Sequence, residues 1–173
     1  MHPVNGVERS FDMTIIMRRR SFTGTGALAV GALLSGCAQA RPAEKFELTL
    51  TDAEWRKRLT PAQYRTLRKE ATDLPFKSPF LHEKRNGVFA CAGCGLPAYS
   101  SRTKFDSGTG WPSFWAALPN AVRTRQDGSL GFTRTEVHCR RCGGHHGHVF
   151  DDGPKPTGKR YCINGTALTF RPI

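Results

Sequence analysis

The sequence predicts a mainly β protein with short helices at its N-terminal side, and two features indicate this class. From about Pro75 onward, short stretches rich in β-branched and aromatic residues alternate with turn signals such as RNG, SGTG, QDG and DDGPKPTG. Before this region, two capping-box patterns indicate helix starts. At 173 residues the chain is long enough to bury one hydrophobic core, so we expect one folded domain.

The N-terminal region, residues 1–37, has the pattern of an export signal. The stretch MRRRSFTGTGALAVGALLSGC has a positive start and an apolar run too short to span a membrane. Its RRSF resembles a twin-arginine motif, and its LSGC resembles a lipobox in which Cys37 would be lipidated. An ordinary secretory signal is the alternative, and both predict an exported protein on the periplasmic or cell-surface side. Residues 1–16 precede the signal, and Met13 and Met17 are alternative starts.

Residues 38–50 are predicted to form a linker that is mobile at its start, and two helices follow it. Thr51 begins a capping box, in which its hydroxyl covers a free backbone N–H while Glu54 reaches back. Thr60 repeats this pattern, with Pro61 at the first helical position. We expect both helices to pack against the domain and to take no part in its chemistry.

Two Cys-x-x-Cys-Gly motifs predict a structural zinc site. Two residues between thiols let both sulfurs of a pair reach one ion at about 2.3 Å in a tetrahedral site. The glycine after each pair suits a tight turn. Redox disulfides within the pairs or structural disulfides between them are the alternatives. A closed shell of four thiolates has no open coordination position, so this metal would hold the fold without catalysing. The predicted ligands are Cys91, Cys94, Cys139 and Cys142.

Cys162 is predicted to be a reactive thiol, because polar residues share its face of a predicted strand. Residues two apart in a strand lie on one face, so RYCIN places Arg160 and Asn164 beside the thiol. A neighbouring guanidinium favours the thiolate and can lower the thiol pKa from about 8.5. The alternative is a buried structural cysteine, since free cysteine packs like a small apolar residue.

The segment HHGHVFDDG supplies candidate proton donors, because imidazole exchanges protons near neutral pH. A regular strand would send His145 and His148 to opposite faces. Both can face one pocket only if Gly147 allows a bulge. A purely structural role is the alternative. Trp111, in FDSGTGWPSFW, is either a core residue or the wall of a pocket for an apolar group such as a methyl.

The formal net charge of +12 raises the possibility of nucleic-acid binding. However, the chain has few dense basic runs and no aromatic signature of an RNA-binding module. We therefore expect the basic residues to be scattered over solvated faces, and no nucleic-acid partner.

The stretches CAGCGLPAYSSRTKFDSGTGWPSFW and CRRCGGHHGHVFDDGPKPTGKRYCIN, in this order, resemble the B-type methionine sulfoxide reductases. The resemblance covers residues 51–173. It implies two antiparallel β-sheets with flanking helices and a zinc site formed by the paired cysteines. It also implies an oxidoreductase that repairs oxidised proteins by reducing the R epimer of methionine sulfoxide, protein-bound or free, with an external thiol and no organic cofactor.

The same resemblance implies a role for each candidate site residue. Cys162 would attack the sulfoxide and become a sulfenic acid, which a thiol can reverse. His145 and His148 would supply protons, and Arg160 would stabilise the thiolate. The substrate pocket would further include Asn164, Asp152, Phe150 and Trp111, with the tryptophan against the substrate methyl group.

Three positions depart from the family pattern. Thr109 stands where many members carry a resolving cysteine, so we expect a thioredoxin-like or other external thiol to reduce Cys162 directly. His146 replaces a usually apolar residue, and would either add a proton donor or fill space. Gly165 replaces a common serine, which changes local backbone stiffness. We expect a monomer.

Overall fold

The computed structural model describes residues 44–129 and 131–173 of the chain. The predicted export signal over residues 1–37, with Cys37 and the alternative starts Met13 and Met17, lies outside the described residues. So does the first part of the predicted linker. No helix within the described ranges is long and apolar enough to cross a membrane.

Two helices begin the described part, α1 (Asp52–Arg58) and α2 (Pro61–Lys69). Both predicted capping boxes are present. The Thr51 and Thr60 hydroxyls each accept a hydrogen bond from the backbone N–H three residues later, at 3.3 and 3.2 Å. The sequence therefore predicted both helix starts correctly.

The strands form two antiparallel sheets, as the family resemblance implies. A three-stranded sheet has the order β2-β1-β9, and a six-stranded sheet has the order β3-β4-β8-β7-β6-β5. All pairings are antiparallel. The strands in the described ranges are β1 (Gly87–Cys91), β2 (Pro97–Ser100), β3 (Lys104–Phe105), β4 (Ser113–Phe114), β5 (Val122–Asp127), β6 (Arg134–Cys139), β7 (His145–Phe150), β8 (Arg160–Ile163) and β9 (Leu168–Pro172).

Two apolar clusters hold these elements together. One joins the two sheets through aromatic side chains, in which the rings of Tyr99 and Phe114 stack with centroids 4.6 Å apart. The other places Trp55 and Leu67, from the two helices, against the paired cysteines. Burial of each such large side chain contributes about 1.5–3 kcal/mol. The helices therefore pack where the cysteine pairs meet, as expected.

Residues 44–50, the last part of the predicted linker, lie against the domain. The backbone N–H of Leu48 donates to the carbonyl of Arg141 at 2.9 Å. Glu44 pairs with Arg123 at 2.8 Å. Sequence alone gave no indication of these contacts, because their partners are distant in the chain.

Candidate metal centre and active-site cleft

The four paired cysteines meet in one cluster, with all sulfur atoms within 4.8 Å of one another. The Sγ atoms of Cys91 and Cys142 are 3.7 Å apart, and those of Cys94 and Cys139 are 3.5 Å apart. A disulfide requires about 2.05 Å. Around an ion with metal–sulfur bonds of about 2.3 Å, tetrahedral ligands lie about 3.8 Å apart. The donor set therefore fits a tetrahedral tetrathiolate ion and not a pair of disulfides.

Each cysteine pair lies on the same kind of turn. The N–H of Gly95 donates to the carbonyl of Cys91 at 2.8 Å, and the N–H of Gly143 donates to that of Cys139 at 2.9 Å. The two glycines have φ of 73° and 66°, in the left-handed region that favours glycine. The tight turn predicted after each pair is therefore confirmed.

The cluster is closed to solvent on most sides. Cys91 and Cys139 are fully buried, and the helix residues Trp55 and Leu67 belong to the same apolar cluster. The guanidinium of Arg68, on α2, donates to the carbonyl of Cys142 at 2.9 Å. A metal held here by four thiolates would cross-link two distant turns and would have no position free for substrate.

Cys162 is the one cysteine of the described residues that lies outside this cluster. It occupies the middle of β8 and is half-buried. Its cross-strand partners are Ser113 on β4 and His148 on β7. The hydroxyl oxygen Oγ1 of Thr109 lies 3.9 Å from the sulfur.

The Cys162 thiol opens into a cleft of about 140 Å³. This is smaller than the roughly 300–1,000 Å³ of pockets for drug-sized ligands. It suits a single side chain. Five of the predicted residues line it, and His145, Arg160 and Asp152 do not. The lining residues are Thr72, Trp111, Arg134, Gly147, His148, Phe150, Cys162 and Asn164.

A bulge in β7 brings the two candidate histidines together. The strand pairs Val137 with Gly147 and His138 with His145, so His146 is an extra residue in the ladder. Gly147 has φ 154°, and a Cβ there would lie 2.1 Å from the carbonyl oxygen of Cys162. The bulge that the sequence analysis required at Gly147 is therefore present.

As a result, the rings of His145 and His148 meet edge to face, with centroids 5.4 Å apart. Of the two, His148 lines the cleft, whereas His145 lies behind it and is 3% exposed. The structure thus gives different positions to two histidines for which the sequence analysis expected the same role.

Each of these histidines has its own carboxylate. His148 Nε2 lies 2.8 Å from Asp127 Oδ2, and His145 Nδ1 lies 2.7 Å from Glu136 Oε1. Burial lowers the pKa of His148, and the hydrogen bond to Asp127 partly opposes this. Hydrogen bonds from the Ser129 backbone and from His148 hold the pKa of Asp127 well below its usual value.

Sequence reasoning missed Asp127, Glu136 and the cleft residue Arg134. Asp127 and Arg134 look like ordinary charges beside a turn, and they pair with each other at 2.7 Å. The sequence carried no comparable signal for Glu136, because its 1% exposure and its mostly buried strand neighbours appear only in the structure.

The pKa of the Cys162 thiol is raised by burial. The hydrogen bond with Thr109 and the charge of Arg160 oppose this rise but do not cancel it. The guanidinium of Arg160 also binds both oxygens of Asp152, at 2.9 and 2.7 Å. Arg160 thus acts on the thiol pKa in the direction that the sequence analysis expected, but desolvation is the larger effect and the pKa is raised overall.

The side chains of Asn164 and Trp111 are held by one loop residue. The backbone N–H of Asp73 donates to Asn164 Oδ1 at 2.9 Å, and Trp111 Nε1 donates to the Asp73 carbonyl at 2.9 Å. Asn164 Nδ2 donates to the His146 carbonyl at 3.1 Å. Both side chains are thus fixed at the cleft by hydrogen bonds within the fold.

Three further positions lie away from the cleft lining. Asp152 is 60% exposed and contacts the site through Arg160. His146 is fully buried beside Tyr99, with Nδ1 3.2 Å from the phenol oxygen, so it fills space in the core. Gly165 packs on Ser78, whose Oγ would lie 2.0 Å from a Cβ at this position.

Comparison with known proteins agrees with this architecture. A family model described as the SelR domain matches residues 59–172. The chain is 54% identical over 123 residues to the peptide methionine sulfoxide reductase MsrB of Thiobacillus denitrificans, which covers 70% of this chain and 93% of that protein. The protein of the same name from Agrobacterium fabrum is 49% identical over 124 residues, 71% of this chain and 92% of the relative. Mouse mitochondrial methionine-R-sulfoxide reductase B3 is 44% identical over 133 residues, 76% of this chain and 53% of that protein.

Proposed function

This chain belongs to the MsrB family of SelR-domain proteins, and we propose that it is an oxidoreductase that reduces the R epimer of methionine sulfoxide to methionine. The substrates are oxidised proteins and the free oxidised amino acid. The observation that carries this proposal is the position of Cys162 directly opposite His148, in a cleft sized for one side chain.

In the first step, the Cys162 sulfur attacks the sulfoxide sulfur while the sulfoxide oxygen receives a proton. The oxygen passes to Cys162 as a sulfenic acid, and methionine leaves with its sulfur reduced. Neutral His148, whose ring Asp127 holds through Nε2, takes the proton of the Cys162 thiol and delivers it to the sulfoxide oxygen. Burial raises the pKa of the Cys162 thiol and so disfavours the more easily oxidised thiolate before substrate binds.

Two aromatic side chains suit the apolar part of the substrate. Trp111 and Phe150 both line the cleft beside Cys162. An aromatic face packs well on a methyl group. The hydrogen bond from Trp111 to Asp73 fixes the indole in place before the substrate enters.

An external thiol completes the cycle. It attacks the sulfenic acid, releases water and leaves a mixed disulfide, and a second thiol then restores Cys162. A hydroxyl rather than a second thiol lies beside Cys162, because Thr109 occupies that position. This supports a thioredoxin-like or other external reductant.

Cys91, Cys94, Cys139 and Cys142 would hold one structural zinc ion, for which their spacing and burial are suited. When bound, the ion would contribute folding energy only. The N-terminal sequence pattern further supports an exported, membrane-tethered lipoprotein, anchored through Cys37 and carrying the reductase domain over residues 51–173.

The test uses the purified chain with separated R and S epimers of methionine sulfoxide and dithiothreitol, with methionine quantified by chromatography. We expect turnover of the R epimer only. Cys162→Ser should slow this reaction by about a thousandfold or more. Thr109→Ser, which keeps a hydroxyl at the same place, is the matched control and should stay close to the parent rate. Parent-like activity of the Cys162 variant would overturn the assignment.

A further inference from the structure

We propose that Glu136 is a positioning residue for His145. Residues 44–48, called the strap below, support this arrangement because Glu44 contacts His138, which lies beside Glu136. The kinetic part of this inference rests on the proposed function, whereas the structural part does not. It adds an orienting carboxylate and an N-terminal segment to the surroundings of the cleft.

Glu136 is placed to orient His145. Its carboxylate is 1% exposed, and Oε1 lies 2.7 Å from His145 Nδ1. The charges facing the carboxylate are those of Arg125, on β5, and His138, on its own strand. Burial raises the pKa of Glu136, but the hydrogen bond and charge of His145 and the charge of Arg125 leave it below its usual value.

An ionised carboxylate can only accept hydrogen bonds, so it requires the proton of neutral His145 to lie on Nδ1. This fixes the tautomer and the ring plane of His145. The ring edge contacts His148, which lines the cleft. By fixing the His145 ring, Glu136 also fixes the surface on which the His148 ring packs. Carboxylates orient histidines in the same way at metal sites.

The strap contacts His138, the histidine beside Glu136 on the same strand. Glu44 Oε2 lies 3.0 Å from His138 Nε2, and its other oxygen lies 2.8 Å from Arg123. The ring of Phe46 packs edge-on against His138, with centroids 5.8 Å apart. The contacts therefore run from the exposed Glu44 through the buried His138 ring to Glu136 and His145.

The strap also supplies its own control. Glu47 pairs with Arg140 and Arg141, both on the turn of the second cysteine pair. Like Glu44, it is a strap carboxylate with arginine partners, but within the described residues it forms no hydrogen bond or ion pair with His138 or Glu136. A change at Glu47 therefore reports on loosening of the strap alone.

The experiment compares Glu136→Gln, Glu44→Gln and Glu47→Gln in the full chain. The first readout is the tautomer of His145, measured by ¹⁵N NMR of the imidazole ring, which needs no activity. The second is kcat and KM for R-methionine sulfoxide across pH.

We expect Glu136→Gln to lower the Nδ1–H fraction of His145, because an amide can also donate and so permits the other tautomer. Its kcat should fall about tenfold or more with a small change in KM. The acid side of the profile of kcat against pH should shift to lower pH. The reason is that the two neighbouring histidines lose a negative charge that favours their protonated form. Glu44→Gln should change kcat and tautomer in the same directions but less, and Glu47→Gln should leave both unchanged.

A parent-like tautomer and pH profile in Glu136→Gln would overturn the positioning role. Equal effects of Glu44→Gln and Glu47→Gln would overturn the role of the strap. If Glu136→Gln fails to fold, the tautomer in Glu44→Gln decides the question. If the parent protein does not reduce methionine sulfoxide but the tautomer responds as expected, the proposed function fails and the positioning of His145 by Glu136 stands.

Discussion

The cysteine cluster and the Cys162 cleft use the same side chain in opposite surroundings. In the cluster, each sulfur has other sulfurs as neighbours, at 3.7 Å between Cys91 and Cys142 and 3.5 Å between Cys94 and Cys139. In the cleft, a single half-buried sulfur faces the Thr109 hydroxyl and lies opposite His148. Four thiols around one point suit a cation, whereas one thiol beside proton donors suits reversible oxidation.

The difference shows that the number and type of neighbours decide what a cysteine does. Both regions lie in the same compact unit, and both depend on backbone turns or bulges at glycine. The cluster is covered by helices, and the cleft is open enough to admit a side chain. Three sets of substitutions test this difference experimentally.

The largest expected effect comes from the same change made in both regions. Cys94→Ser removes a thiolate ligand at the most exposed position of the cluster, so it tests metal binding more than packing. We expect loss of bound zinc and a fall in the free energy of unfolding of at least about 4 kcal/mol, since structural zinc contributes about 10–16 kcal/mol in zinc-finger peptides. Metal analysis and denaturant unfolding measure both quantities.

Cys162→Ser is the matched variant and should keep one zinc and a stability within about 1 kcal/mol of the parent. If Cys94→Ser retains its metal and its stability while Cys162→Ser loses them, the distinction between the two regions is wrong.

Gly147→Ala should damage the cleft and leave the cluster intact. Its Cβ would lie 2.1 Å from the Cys162 carbonyl oxygen, so β7 and β8 must separate. We expect a loss of about 2–5 kcal/mol in the free energy of unfolding. Activity should fall by up to about a hundredfold, because the thiol and His148 are displaced. Gly128→Ala is the control, since nothing lies within 4 Å of a Cβ there. Loss of zinc in Gly147→Ala would show that the cysteine cluster and the Cys162 cleft are not independent.

The smallest expected effect concerns His146, on the face of β7 that points away from the cleft. Burial lowers its pKa to about 3. The unfolded chain therefore binds a proton here below about pH 6.5 while the folded chain does not, so stability falls as the pH drops from about 6.5 towards 3. His146→Leu removes this loss, so its stability relative to the parent should rise by about 2 kcal/mol between about pH 8 and about pH 5.

At about pH 8 the same variant should be neutral or less stable by about 1 kcal/mol, because the Tyr99 hydroxyl loses its partner. Urea unfolding at both pH values measures the difference. Tyr99→Phe removes the hydrogen bond but keeps the histidine, so it should retain the pH dependence of the parent. An unchanged pH slope in His146→Leu would show that this face of β7 does not contribute to acid sensitivity.

Much of the fold was predictable because its signals are local. The capping boxes at Thr51 and Thr60 begin helices where expected, and the glycine after each cysteine pair adopts the expected turn. The roles assigned to Cys162, His145 and the other site residues stay predictions until they are tested by substitution. The position of His146 resolved an open question, since it fills space in the core.

The sequence by itself determined the mainly β class and the helix starts, and it favoured one metal site for four cysteines with Cys162 apart from them, which the sulfur positions in the structure then supported over disulfides. Only the tertiary structure decided that His148 and not His145 lines the cleft, and that Asp127 and Glu136 are their partners. The physical reason is that neighbours across strands depend on register. One extra residue in β7 changes which side chains meet, and the strands that supply the carboxylates are distant in the chain.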